Sequence, residues 1–455
     1  MVKILSYNVF FKTMSIPPIH KKCEMINDIS NGVSYTSCLK NISNFIEKNS
    51  DCDFVLLQEA TNWRILQQIT PSLTNMQVVH HKYDLEEIVT FFSKKYILDK
   101  THNTIFGYMS DINRPLQILF FNNNLCVINL HAGHNKDIYD FDKHLIRTLK
   151  SNKYQKQFIH KLQTYDIIMG GDFNDNLNDS FRILSDPYFD IDHGRKLYGF
   201  NKTPSCCNYN LNIITQNKTY DHILSTLSDN VSKIETITLA SDHMPIIATI
   251  KKHIGYDFDG VLHIDVTKSD NEGQRHPINI IGPYNIFINI VQDILNNILL
   301  GNSVYIITAR NKTSQNLNVI TNHLKRAGLE KYLNNITILF SGGLDKTKLL
   351  YRYKINDFFD DSCLRIIELY TSQKKNKLPN LNNLFITYPE ENSYQLINGK
   401  NINDICGNIM QIGGINKYYD QYYDQFYDID IDCINKCYEI ITQTILKSDK
   451  NYSIY

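Results

Sequence analysis

At 455 residues, 42% hydrophobic and 21% charged, the chain is longer than one ordinary core supports, since a structural unit runs to roughly 100 to 200 residues. Lys+Arg and Asp+Glu both number 47, so net charge is zero, and neither half has the basic excess of a protein that grips long duplex DNA through many phosphates. No stretch approaches the roughly 18 consecutive apolar residues of a membrane span, so no membrane span is expected. The N-terminus runs directly into Val2-Lys3-Ile4-Leu5-Ser6-Tyr7, which reads as a strand and not as an export leader. The expected location is cytoplasmic, or host cytoplasm if the Asn-, Ile-, Lys- and Tyr-rich composition reflects an AT-rich viral genome. Ten cysteines at irregular intervals, with no paired Cys-x-x-Cys units, are read as reduced thiols.

Along the chain, short β-type runs alternate with helical and polar stretches: Ile4-Leu5-Ser6, Phe54 to Leu57, Leu116 to Phe120, Val127 to Leu130, Asp166 to Met169 and Ile246 to Thr249. Many short strands with helices between them predict an α+β or layered sandwich unit. A fresh apolar strand follows at Ile254-Gly255-Tyr256, then strands at Val304 to Ile307 and Ile336 to Phe340 separated by helical patterns. That βαβ rhythm predicts a parallel, doubly wound sheet. The division falls near Lys251 to His253, giving units 1–252 and 254–455. The Tyr418–Asp428 tract repeats aromatics about every four residues, which fits a terminal amphipathic helix or packed polar tract better than a base-stacking platform.

Candidate chemistry clusters at strand ends. Cleaving a phosphodiester needs a hard metal on the phosphate oxygens, an activated water and donors for the developing charge. Asn8 closes Ser6-Tyr7-Asn8, and Glu59 follows Leu56-Leu57-Gln58. His131 and His134 follow Asn129-Leu130, while Asp172 and Asn174 sit in Gly170-Gly171-Asp172-Phe173-Asn174. Asp221 lies in Tyr220-Asp221-His222, and Asp242 and His243 in Ser241-Asp242-His243-Met244. Each alone is weak, because a lone His or acidic residue after a strand is usually structural.

The ordered series SYN, LQEA, NLHAGH, GGDFN, YDHIL and SDHMP resembles the motif set of the endonuclease/exonuclease/phosphatase superfamily over residues 1 to about 252. The resemblance implies a deoxyribonuclease-I-like four-layer α/β sandwich. It also implies metal at Glu59 with Asn8 beside it, and Asp242 as a second metal-side carboxylate. His131 would stabilise phosphate charge, Asp172 would orient or deprotonate water, and Asn174 would hold a phosphate oxygen. Asp221 would fix the tautomer of His243. Phe10, where abasic endonucleases carry an acidic residue, weakens that subfamily; His222 and Asp175, where inositol 5-phosphatases show Arg, weaken the other. Cys206-Cys207 reads as two buried structural cysteines.

In the second half, Tyr256-Asp257-Phe258-Asp259-Gly260 puts two carboxylates at alternate positions past a strand, with Gly allowing a tight turn. Val304 to Thr308 is an apolar strand ending in a hydroxyl, Lys346 or Lys348 supplies a cation, and Phe358-Phe359-Asp360-Asp361 supplies carboxylates. Together these resemble the four motifs of the haloacid dehalogenase superfamily over about residues 254–370. The resemblance implies a Rossmann-like parallel sheet, Asp257 as nucleophile and Asp259 as general acid/base. Thr308 with Lys348 or Lys346 would bind phosphate, and Asp360 with Asp361 would bind metal. Arg310 is either a substrate contact or an ion-pair partner. About 50 residues between Asp259 and Thr308 leave no room for a large cap, so an open site is expected.

The combined expectation is a bifunctional phosphoesterase using Mg2+ or Mn2+ in each unit and processing nucleic-acid ends, with nucleotide, inositol or lipid-headgroup substrates as one alternative and a partner-recruiting scaffold with one inactive unit as another.

Overall fold

The computed structural model describes residues 1–402, apart from 29–31, 84–85, 192–193, 208–210, 212–217, 264–266, 270–274, 278–287, 344, 376, 389–392 and 398–400. The tyrosine tract and Pro389-Glu390-Glu391 therefore lie outside the described residues. The chain divides into two compact units, Met1–Lys251 and the part from Lys252 onward.

The first unit is built on two sheets. One runs in the order Asp229–Ile234, Ile246–Lys251, Val2–Asn8, Phe54–Gln58, Glu86–Phe92, Gln77–Tyr83, and the other Asp221–Ser225, Asp166–Asp172, Leu125–His131, Pro115–Phe121, Thr104–Tyr108. Neighbours pair antiparallel except Val2–Asn8 with Phe54–Gln58 and Leu125–His131 with Asp166–Asp172. Side chains alternate across each strand, so each sheet feeds two cores. Ile4, Phe54, Leu56, Val127, Ile168 and Ile223 meet between the sheets. Leu5, Tyr7, Val55 and Leu57 face outward onto the helix Ser37–Lys48, whose Leu39, Ile42 and Ile46 repeat at helical spacing. On the far side, Ile128, Leu130, Ile167 and Met169 pack with Leu145, Phe158 and Leu162 of the helices Phe141–Lys150 and Gln155–Thr164. The result is helix, sheet, sheet, helix.

A buried polar run crosses between the sheets behind the strand ends. Gln58 Nε2 donates to Asn129 Oδ1 at 2.7 Å, and Asn129 Nδ2 donates to the Val89 carbonyl at 3.0 Å. Such partners fix the strands' relative register more sharply than apolar contacts do.

The second unit has one six-stranded sheet. Its order is Ile336–Phe340, Ser303–Thr308, His253–Asp257, Asp357–Asp360, Asn383–Tyr388, Ser393–Ile397, all parallel except the last. Helices Ile288–Leu299 and Ser314–Arg326 cover one face, packing through Ile294 and Leu324 onto Tyr256 and Ile306. Helices Thr347–Arg352 and Cys363–Lys374 cover the other, through Leu350 and Ile366 onto Phe358 and Leu384. The chain order reverses between His253–Asp257 and Asp357–Asp360, the point at which open α/β sheets leave a crevice at their carboxyl ends. Between Gly260 and Ile288 the described residues contain a short antiparallel ladder, Thr267–Ser269 with Arg275–Pro277.

Candidate active sites

In the first unit, strand register assembles the cluster. Asp172 stands opposite His131 on one side and Asp221 on the other, so these three side chains form one row across the second sheet. Gly171 makes that close pairing possible, since a Cβ there would sit 2.0 Å from the Leu130 carbonyl oxygen. In the first sheet Asn8 pairs with Gln58, which puts Asn8 beside Glu59. Asn8 Nδ2 donates to Glu59 Oε1 at 3.1 Å and to Asp172 Oδ2 at 3.0 Å, tying the two sheets at the rim. Glu59 and Asn174 hold left-handed backbone, φ 54° and 50°, a conformation that non-glycine residues adopt at an energetic cost and often at functional sites.

His243 arrives on a loop pinned by Ser241, whose hydroxyl donates to the Asn8 carbonyl at 2.7 Å and accepts from His243 N at 3.1 Å. Its Nδ1 donates to Asp221 Oδ2 at 2.9 Å, and its Nε2 lies 3.5 Å from Asp172 Oδ2. Burial alone would lower its pKa, but Asp221 and Asp172 outweigh this and hold it well above the ordinary imidazole value. Burial does the reverse to His131, pulling it down to about 4 against the opposing Asp172 charge. The site thus contains one imidazole biased to the cation and one biased to the neutral form, a separation that suits acid and base roles. Burial raises Asp242 to about 6, opposed by His243 and reinforced by Glu59 and Asp172. Asn174 Nδ2 donates to the Ala132 carbonyl at 2.8 Å, which fixes the turn after Asp172.

Two members of this cluster have no sequence signal strong enough to find them. Glu86 heads the strand Glu86–Phe92 and accepts from His131 Nδ1 at 2.8 Å; burial pushes its carboxyl up to about 8. Arg114, just before the strand Pro115–Phe121, donates to His131 Nε2 and reaches Glu86 Oε1 at 3.4 Å. An ionisable residue at the head of an apolar strand is the only hint either offers. His134 is exposed, its ring centroid 6.3 Å from that of Tyr220.

The expectation of reduced thiols fails for four cysteines. Cys23 and Cys38 are disulfide-bonded, as are Cys206 and Cys207, while Cys52 and Cys126 are free and buried. Irregular spacing carries no signal for a pair separated by 15 residues.

In the second unit the carboxyl ends of adjacent strands bring Asp257, Asp360 and Asp361 together, with one carboxylate oxygen from each within 4.8 Å of the others. Lys346 is 3% exposed; its Nζ donates to Asp257 Oδ2 and, at 3.0 Å, to Asp360 Oδ2. Lys348, the other candidate, is exposed and stands apart from the cluster, because two residues of helix turn it by about 200° from Lys346. Burial would lower Lys346, but Asp360 and Asp257 raise it further, so it is a fixed cation. Burial and then Asp360 push Asp361 up to about 7 and Asp257 well above the usual carboxylate range. Gly260 has φ 80°, and a Cβ there would meet Asp361 Oδ2 at 1.9 Å.

Asp259 is held differently. Arg310 forks onto it, Nε to Oδ2 at 2.9 Å and Nη2 to Oδ1 at 2.6 Å, and Thr308 Oγ1 donates to Oδ2 at 3.5 Å. Of the two readings left open for Arg310, the ion pair is what the structure contains.

Carboxylate and imidazole groups able to hold a metal ion thus occur in both units: Glu59, Glu86 and His131, and Asp172, Asp221 and His243, in the first, and Asp257, Asp360 and Asp361 in the second. Among the described residues no Lys or Arg pairs with Glu59, Asp172 or Asp242, and one lysine faces three acids in the second unit. The carboxylates of both clusters are hard-oxygen donors that outnumber the lysines and arginines paired with them, which fits a divalent cation. No helix of the described residues is long and apolar enough to cross a membrane.

Fold and sites together define a mixed α/β protein of two units, each with a carboxylate-rich cluster at strand ends. The chain is 57% identical over 412 residues, 90% of its length, to uncharacterized protein L684 of Acanthamoeba polyphaga mimivirus, of which it covers 82%, and it belongs to the same family. No family model matches it. Among solved structures it is similar to TDP2 from C. elegans (17% identity, TM-score 0.37, 55% of this chain and 74% of that one). It is also similar to ANGEL2, a 2',3'-cyclic phosphatase, in complex with adenosine-2',3'-vanadate (15%, TM-score 0.37, 54% and 94%), and to the human Nocturnin catalytic domain with bound sulfate (13%, TM-score 0.34, 54% and 93%).

Proposed function

We propose that the chain is a bifunctional, Mg2+-dependent phosphoesterase: a phosphodiesterase of the endonuclease/exonuclease/phosphatase type in residues 1–252 and a phosphomonoesterase of the haloacid dehalogenase type in residues 254–455, acting in turn on nucleic-acid ends. The observation that carries this reading is the row His131–Asp172–Asp221 with His243 hydrogen-bonded to Asp221, facing Asn8 and Glu59 across the sheets.

In the first unit Asn8, Glu59 and Asp242 would hold the cation, which when bound neutralises phosphate oxygens and lowers the pKa of water. Asp172 accepts the proton of the attacking water or orients it. His243, kept cationic by Asp221, and the Arg114–His131 pair face the charge that builds on the phosphate. Asn174 closes the turn against the same oxygens.

In the second unit Asp360 and Asp361 would hold the cation. Lys346 opposes the burial that raises Asp257 and so favours its ionised form; a carboxylate oxygen of Asp257 attacks phosphorus while the ester oxygen leaves with a proton from Asp259, and water then cleaves the aspartyl phosphate. Asp259 has to leave the Arg310 fork to do this. An incoming phosphate monoester competes for the guanidinium and frees the carboxylate, which takes up from the monoprotonated phosphate or from solvent the proton it then gives to the ester oxygen, with Thr308 as a further phosphate ligand.

The test is turnover by the full chain of 3'-phosphate, 3'-blocked, abasic and intact DNA and RNA oligonucleotides beside an aryl phosphate, with Mg2+ and with a chelator. Chelator-sensitive cleavage and dephosphorylation of oligonucleotide ends is the expected result. Turnover of the aryl phosphate alone removes the nucleic-acid part, and turnover indifferent to the chelator removes the metal-dependent mechanism.

A further inference from the structure

Two phenylalanines follow Asn8 at the rim of the first unit's cluster. Phe10 has left-handed backbone, φ 58°, unfavourable for a residue with a β-carbon. Its N–H donates to Asn8 Oδ1 at 3.0 Å, and the N–H of Phe11 donates to Glu59 Oε2 at 3.1 Å. The backbone of both aromatics is thereby anchored on the two side chains assigned to the cation. The Phe10 ring packs against Cys23, Cys38 and Leu211, where the Cys23–Cys38 bond closes the floor beneath it. Phe11 stands edge-on to Phe10, centroids 5.7 Å apart at 78°, and is 39% exposed. Lys12 Nζ lies 5.6 and 5.8 Å from the two ring centroids.

A single exposed aromatic is ordinary on a protein surface. This one differs in being tied by its own amide to a catalytic-cluster carboxylate, backed by a second ring on a covalently closed floor, and accompanied by a cation. We propose that Phe11, supported by Phe10 and flanked by Lys12, is a stacking platform for the nucleobase next to the scissile phosphate of a single-stranded nucleic acid. This rests on the phosphodiesterase reading. A base within a duplex is already stacked on both faces, whereas a single-stranded base has a π-face to offer, and ring stacking is indifferent to which base it is. Lys12 supplies a local phosphate contact in a chain whose net charge is zero.

The experiment is steady-state cleavage by the full chain of a single-stranded oligonucleotide, the same sequence as a blunt duplex, and a bis-aryl phosphate that has no base. Wild type, Phe11→Ala, Phe11→Leu and Phe11→Trp are compared. The expected results are a wild-type preference for the single strand, and a fall of about tenfold in the ratio of oligonucleotide to aryl-diester kcat/KM in both Phe11→Ala and Phe11→Leu, carried mainly by KM, with Phe11→Trp restoring it. If the two substrates lose activity equally, or the wild type favours the duplex, Phe11 is structural and the platform is overturned. Wild-type turnover of the aryl diester with an unmoved ratio sinks the platform alone. A wild type that hydrolyses neither substrate sinks the phosphodiesterase reading and the platform with it.

Discussion

The two clusters are both crowded with buried carboxylates, yet they are balanced by different means. In the first unit the partners of Asp172 and Asp221 are imidazoles, His131 and His243, whose charge depends on pH and on which carboxylate is nearest. In the second unit the partner of Asp257 and Asp360 is Lys346, a permanent cation that cannot serve as a proton relay in the ordinary pH range. A titratable balance suits moving protons to and from water, whereas a fixed one pulls a buried carboxylate nucleophile toward its ionised form against the cost of burial.

The sharpest way to break this contrast is to remove the fixed cation. Lys346→Met leaves Asp257 and Asp360 buried without a counter-charge, which should destabilise the second unit by about 3 to 5 kcal/mol and abolish the phosphatase activity proposed for it while leaving the cleavage proposed for the first unit in place. Separate melting of the units with unequal shifts, followed by calorimetry, checks it; a shift below about 1 kcal/mol would mean that Lys346 is not the balancing charge.

Gly171 is next. Replacing it with Ala forces a Cβ to within 2.0 Å of the Leu130 oxygen, so the row His131–Asp172–Asp221 has to open. We expect a loss of roughly 2 kcal/mol or more in denaturant unfolding, together with loss of phosphodiesterase activity. Unchanged activity would show that the strands need not be so close.

A smaller effect isolates the titratable partner. Because the folded pKa of His243 is raised above the unfolded value of about 6.5, the Asp221–His243 pair contributes fully below that pH and its contribution is lost as pH rises through the folded value. The stability difference between wild type and Asp221→Asn should therefore be larger at pH 6 than at strongly alkaline pH. A difference that grows with pH contradicts the assignment. Least of all, Lys348→Ala should change stability by no more than about 0.5 kcal/mol and leave phosphatase turnover as it was.

Much of this geometry can be read in the chain before folding, because strand ends are conspicuous: an apolar run that stops at Asn8, Glu59, His131 or Asp172 places those residues at one rim of paired sheets. Other features depend on tertiary register. Glu86 and Arg114 enter the site from the beginnings of strands, where a charged residue usually means only a solvated edge. Lys346 and Lys348 are equivalent as letters and become distinct only once the helix start at Thr347 sets their faces. The Arg310 fork on Asp259 arises from two loops 51 residues apart. The Cys23–Cys38 bond has no local signature.

The central claim is that two independent phosphoester chemistries reside in one chain, and it is tested most directly by assaying His243→Ala and Asp257→Ala in the full chain against an oligonucleotide phosphodiester and an oligonucleotide carrying a terminal phosphate. His243→Ala should lower diester cleavage by about 10²-fold or more and leave dephosphorylation intact, and Asp257→Ala should do the reverse. If either variant removes both activities, or neither variant removes one, the two clusters do not carry separate reactions and the account is wrong.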